Sequence, residues 1–121
     1  MEIVIKMERI GPSQDQYYSI TFLGTGEVFF ESNGEANAQV LQLSQHAFKH
    51  IMREFENMYF FDLKDEYGMN TGSGVVTTIS IAVDSKTKSV KFSQSSKVPR
   101  PLLRLSAHLD SFIGLKGYEA R

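Results

Sequence analysis

The sequence predicts an α+β fold: a two-layer sandwich in which a mostly antiparallel sheet of about five to six strands carries two helices packed on one face. Three observations lead there. Apolar residues recur at a period of two near the start of the chain and again around residues 75–92. Two other stretches, near 44–59 and 101–113, carry apolar residues at helical spacing. The turn signals between strands are short, which joins antiparallel neighbours, and two amphipathic helices require one apolar surface to cover.

Met1, Ile3, Ile5 and Met7 alternate with Glu2, Val4, Lys6 and Glu8, as in a strand with one buried face. After a turn-like Gly11-Pro12-Ser13-Gln14-Asp15, Tyr18, Ile20 and Phe22 share one face and Ser19 and Thr21 the other. Gly24-Thr25-Gly26 closes a hairpin, since glycine supplies the positive φ of short loops. Val28 and Phe30 then face inward and Phe29 outward. Asn33-Gly34 is a further turn signal, and residues 37–43 add a short strand. From Ser44, an N-cap candidate, Phe48, Ile51, Met52, Phe55 and Tyr59 form a helical stripe. Val75, Thr77, Ile79, Ile81 and Val83 return to period two, rich in β-branched residues. Asp84 to Thr87 turns the chain into a strand with Val90 and Phe92 on one face. The last helix starts near Pro101, which no first-turn hydrogen bond excludes, and its stripe is Leu102, Leu105, Leu109, Phe112 and Ile113. Gly114 or Gly117 is expected to end it.

At 121 residues the chain is the size of one domain, so residues 1–121 are expected to form a single α+β unit. With 41% hydrophobic and 22% charged residues it has the composition of a folded globular protein. The absence of cysteine excludes disulfides, thiolate nucleophiles and cysteine-ligated metal centres together. The first residues lack the basic start and apolar run of a secretory signal, and no run approaches the ~20 apolar residues of a membrane span. The chain therefore reads as cytoplasmic, or as exported if a leader has been removed, with no membrane partner. A net charge of −1 gives no reason to expect nucleic acid.

The spacing of Glu8-Arg9, then Tyr18-x-Ile20-x-Phe22-x-Gly24-x-Gly26-x-Val28-x-Phe30, resembles a widespread bacterial family known only as a domain of unknown function. The likeness continues through Tyr59-Phe60-Phe61-x-Leu63, Tyr67, Thr77-Thr78-x-Ser80-Ile81 and Val90. It implies a fold and no reaction. Such relatives often carry a Cys-x-x-x-Cys-Pro segment before the Tyr18-like position, and many look exported or lipid-anchored. Here the segment reads Gly11-Pro12-Ser13-Gln14-Asp15-Gln16, so no role of that cysteine pair carries over. The resemblance makes Tyr59, Phe60 and Phe61 an aromatic plug where the helix leaves the sheet, with at least two of the three buried.

Candidate sites are few. Asp62, Asp65 and Glu66 could act as acids, bases or ligands of a hard cation, but Lys64 interrupts them and a solvated face is expected. Gly68, Gly72 and Gly74 precede a strand and lack the Gly-Lys-Ser/Thr of a phosphate loop. Ser93, Ser95 and Ser96 have no motif that supplies a base. His46, His50 and Glu54 recur every four residues, a spacing that can present metal ligands on one helix face, here the face opposite the apolar stripe. On the outer face of the sheet, Val4, Phe29, Val76 and Ala82 stand among Ser19, Thr21, Thr78 and Ser80 and could form a dimer surface or ligand platform.

Charge is the more informative signal. Residues 85–109 hold Lys86, Lys88, Lys91, Lys97, Arg100 and Arg104 and no acid, which leaves 7 basic residues against all 14 acids elsewhere. Arg100 and Arg104, one turn apart at a helix start, could hold a carboxylate or phosphate. The expected function is a soluble binding or protein-interaction module for an anionic protein or small molecule, or for self-association, using Arg100, Arg104, Lys91 and Phe29 and no cofactor. The alternative is a small metal-binding protein or enzyme using His46, His50, Glu54 and nearby carboxylates.

Overall fold

A computed structural model describes residues 2–11, 17–32, 38–68, 74–93 and 97–119; of 38–40 and 113–119 it describes the backbone alone. The strands are β1 (Ile3–Ile10), β2 (Tyr17–Leu23), β3 (Glu27–Ser32), β4 (Ala38–Gln42), β5 (Glu66–Tyr67), β6 (Val76–Val83) and β7 (Lys86–Phe92). The helices are α1 (Gln45–Asn57) and α2 (Arg100–Glu119), and a 3₁₀ turn spans Phe60–Asp62. One sheet takes the order β4-β3-β2-β1-β6-β7-β5. Among the described residues every pairing is antiparallel except β5 with β7. The fold is thus α+β with a mixed, mainly antiparallel sheet.

Among the described residues the sheet has seven strands rather than five to six. The additional strand, β5, is two residues long, Glu66 opposite Lys91 and Tyr67 opposite Phe92, too short to show any period in sequence. β1 lies at the centre and runs to Ile10, two residues beyond its alternation of Met1 to Glu8.

One face of the sheet is the core face. Ile5 and Met7 of β1 stand opposite Phe22 and Ile20 on β2 and opposite Ile81 and Ile79 on β6. Because paired residues of antiparallel strands share a face, these six and Val28, Val90 and Phe92 form one apolar surface, and each is buried. α1 adds Phe48, Ile51 and Phe55, and α2 adds Leu102, Leu105 and Leu109, all in the same cluster. Both helices therefore serve the one face, as their stripes require.

Local chemistry sets the helix ends. Ser44 Oγ accepts from the Ala47 amide at 3.1 Å and caps α1. Tyr59, expected on the buried stripe, is instead 73% exposed, because α1 stops at Asn57 and the backbone turns left-handed at Tyr59. That turn breaks the helical period and sends Phe60 inward, edge-to-face with Phe55 at 4.8 Å. Only Phe60 of the three aromatics is buried; Phe61 is 42% exposed. At the other terminus, α2 runs through Gly114 and Gly117 rather than ending at either. Val75, expected inward, lies before β6 and is exposed. The Asn33-Gly34 turn lies outside the described residues.

Gly26 shows why the β2–β3 hairpin needs glycine at that position. Its φ is +94°, the Leu43 amide donates to its carbonyl at 2.8 Å, and a Cβ there would stand 2.5 Å from the Leu43 carbonyl oxygen. Gly26→Ala is expected to destabilise the protein by more than ~1 kcal/mol, from the backbone strain and the clash together. Urea unfolding checks this; a shift in midpoint equivalent to less than about half of that would contradict it.

Candidate functional site

Period two places Arg9 on the core face, two residues past Met7, at the end of the central strand. Its register partners are Tyr18 on β2 and Thr77 on β6, so three polar side chains meet on that face. α2 crosses above them and contributes Ser106 and Asp110, one helical turn apart. The guanidinium Nε–H donates to Thr77 Oγ1 at 3.0 Å, Nη1 to Tyr18 Oη and to Asp110 Oδ2, both at 2.6 Å, and Nη2 to Ser106 Oγ at 2.8 Å. Tyr18 Oη donates in turn to Asp110 Oδ1 at 2.9 Å. Ser106 Oγ–H points to Met7 Sδ at 3.7 Å. Four of the five guanidinium N–H groups are engaged, and the planar fork suits this arrangement as a lysine would not.

The cluster walls a cleft of about 420 Å³ whose remaining lining is apolar, with Val75, Phe92, Leu103 and Ala107. Burial, reinforced by the hydrogen bond to Asp110 and opposed by Arg9, pushes the Tyr18 hydroxyl up to about 12. It therefore stays protonated and serves as a donor. Every polar side chain of the cluster has a partner within it, as a structural clamp requires.

A second cleft, about 380 Å³, opens between the C-terminal turn of α1 and the start of α2, lined by Glu54, Asn57, Met58, Pro101 and Arg104. Glu54 is bonded there to His108 Nδ1 of α2. Arg100 and Arg104 are both exposed, and among the described residues neither has an ion pair. The helix start itself offers little: Leu102 and Leu103 amides are already donated to the Pro99 carbonyl, and Pro101 has no N–H. Of the two arginines, Arg104 lines this cleft.

The other expected residues are separated. Lys91 projects from β7 on the outer face, while Phe29 lies on β3 with three strands between them. Phe29 stands in a row that continues through Thr21, Lys6, Ser80 and Ser89, so its apolar surface meets polar neighbours. Lys6 pairs with Glu8 at 2.9 Å in the middle of this face, and the hydrogen bond to Glu8 raises the Lys6 pKa. Val4 and Ala82 are register partners elsewhere on it. On α1 the rings of His46 and His50 are exposed and 5.9 Å apart between centroids, but Glu54, their expected third partner, is turned to His108. Among the described residues no group of three or more His, Asp or Glu side chains could hold a metal ion. Asp62, Asp65 and Glu66 are exposed as expected, with Asp65 paired to Lys88 at 2.7 Å. Ser93 is buried and donates to the Val75 carbonyl; Ser95, Ser96 and Gly72 lie outside the described residues.

Sequence reasoning missed the Arg9 cluster and His108. A charged residue at an inward position of β1 was the available signal, and Ser106 and Asp110 at i and i+4 beside the leucine stripe were its complement. No protein-family model matches the chain, and no curated protein matches it.

The raised Tyr18 pKa fixes a pH dependence. The folded-state value lies above the ordinary tyrosine value of about 10, so the associated stability is fully present below pH ~10 and is lost as pH rises towards 12. The stability advantage of the wild type over Tyr18→Phe, read from urea midpoints, should shrink across that interval. An advantage that stays constant there would contradict the assignment.

Proposed function

We propose that the protein is a non-enzymatic binding module whose partner presents an anionic group, a carboxylate or phosphate, to Arg100 and Arg104. The observation that carries this reading is the partition of the cations. Arg9, Lys6 and Lys88 each have a carboxylate partner within the fold. Arg100 and Arg104 are exposed, one turn apart at the positive end of α2, and Arg104 opens onto the interhelical cleft. Charges already neutralised hold the architecture together, and charges left without partners are the ones a second molecule can neutralise.

The side chains suited to catalysis support the non-enzymatic half of the reading. Ser106 is held between Arg9 and Met7, Ser93 is tied to a backbone carbonyl, and Tyr18 is kept protonated. None is placed beside a free general base among the described residues.

A hexaglutamate peptide and citrate are suitable probes. Both should bind at low ionic strength and weaken towards physiological strength, where the Debye length falls to about 8 Å. The double variant Arg100→Ser/Arg104→Ser should lose at least about tenfold in affinity, the effect of one charge-assisted hydrogen bond of roughly 1.4 kcal/mol. Its thermal midpoint should be unchanged, since both side chains are exposed. Binding indifferent to salt and to the double substitution would refute the proposal.

A further inference from the structure

Tyr59 occupies the position after a helix C-cap at which chains most often turn out of the helix through glycine. Its φ and ψ are 54° and 55°, so its Cβ bears the steric strain that glycine avoids. The ring is 73% exposed, and burial of the side chain does not offset that strain. The fold is served by the turn, not by the tyrosine.

The exposed ring stands at a groove of about 270 Å³. Tyr59 and Phe61 line it together with Met52 and Phe55 of α1 and Ile81 and Val83 of β6. Phe60, between the two exposed aromatics, points into the core and holds the turn in place. The charged residues in the lining, Glu56 and Asp62, are both acidic and both exposed. The volume lies below the ~300 to 1,000 Å³ of drug-sized pockets and suits a single large side chain.

We propose that this groove docks a peptide segment of a partner protein in which one aromatic or long aliphatic side chain is flanked by lysine or arginine. The apolar side chain enters between Tyr59 and Phe61 and covers Met52 and Val83. The flanking cations meet Glu56 and Asp62 and can lie over the Tyr59 ring face. Exposed ion pairs add little affinity but select the sign of the partner and speed its approach. The site differs from the Arg100–Arg104 site in the charge it accepts and lies on the opposite side of the last turn of α1, so either can fail without the other.

Three capped peptides, Lys-Lys-Phe-Lys-Lys, Lys-Lys-Gly-Lys-Lys and Glu-Glu-Phe-Glu-Glu, titrated into the isotope-labelled full chain and followed by amide NMR shifts, test the proposal. The first should shift the signals of Glu56, Tyr59, Phe61 and Val83, and the other two should leave them in place. Tyr59→Gly should weaken binding of the first at least about tenfold, the loss expected of a central aromatic anchor, while its thermal midpoint equals or exceeds that of the wild type. Tyr59→Phe should retain binding. Equal response to the glycine or glutamate peptide would overturn the proposal, as would a lowered thermal midpoint in Tyr59→Gly, which would make the tyrosine structural. A dimer in sedimentation that Tyr59→Gly dissociates would also overturn it, by making a second copy the occupant.

Discussion

The structure depends on what happens to one guanidinium. β1 is the central strand, and its inward positions carry Ile3, Ile5, Met7 and then Arg9, so the alternation that builds the core also delivers a cation to the core's edge. A charge withdrawn from water must be hydrogen-bonded and neutralised there or it destabilises the fold. Meeting that demand involves both neighbouring strands and a helix. Tyr18 and Thr77 reach Arg9 only in the observed registers of β2 and β6, because a slip of one residue would turn either side chain to the opposite face. Ser106 and Asp110 reach it only if α2 presents the flank of its leucine stripe to the end of β1. Apolar burial holds α2 against the sheet with little directional preference, and the Arg9 fork adds the specificity of position. At side-chain exposures of 25% and 30%, the Arg9–Asp110 pair lies between a screened surface bridge and a fully buried one.

The same distinction explains which parts of the fold were legible in the sequence. The core was legible because a buried face writes itself as a period: two in β1, β2 and β6, and close to four in α1 and α2. The Ser44 cap and the Gly24-Thr25-Gly26 hairpin were legible because their chemistry is local. β5 was not, since a two-residue pairing is created by the strand it joins. Tyr59 misled because helical spacing places it on the stripe while the helix ends two residues before it, and nothing local marks that end with glycine or proline. The Arg9 cluster was out of reach for a different reason. Its members are separated by up to 101 positions, and each alone resembles an ordinary surface residue.

Segregation of charge along the chain does not become a single basic surface in three dimensions. Strand alternation and the change from β7 to α2 distribute the six basic residues of 85–109 over different surroundings. Lys88 points to the core side, where its Nζ donates to the Leu63 carbonyl at 2.6 Å and to Asp65 at 2.7 Å, tying the segment before β5 to the sheet. Lys91 projects from the opposite face, beside its register partner Thr78. A linear run of like charge therefore carries information about function only after the fold has sorted it.

β7 shows what part of that run is for. β5 covers it only at Lys91 and Phe92, so from Lys86 to Val90 its outer edge has no strand beside it among the described residues. An uncovered edge presents unpaired amides and carbonyls to any other strand, and lysines along it are a common means of preventing such pairing, because two like-charged edges repel. Lys86 and Lys88 lie within that stretch. Lys86 is exposed there as such a charge, whereas Lys88, paired with Asp65, closes the chain over the edge. Arg100 and Arg104 have no such duty: they protect no strand, cap no helix end and neutralise no carboxylate among the described residues. Arg104 and the exposed aromatics that follow α1 each stand beside concave surface.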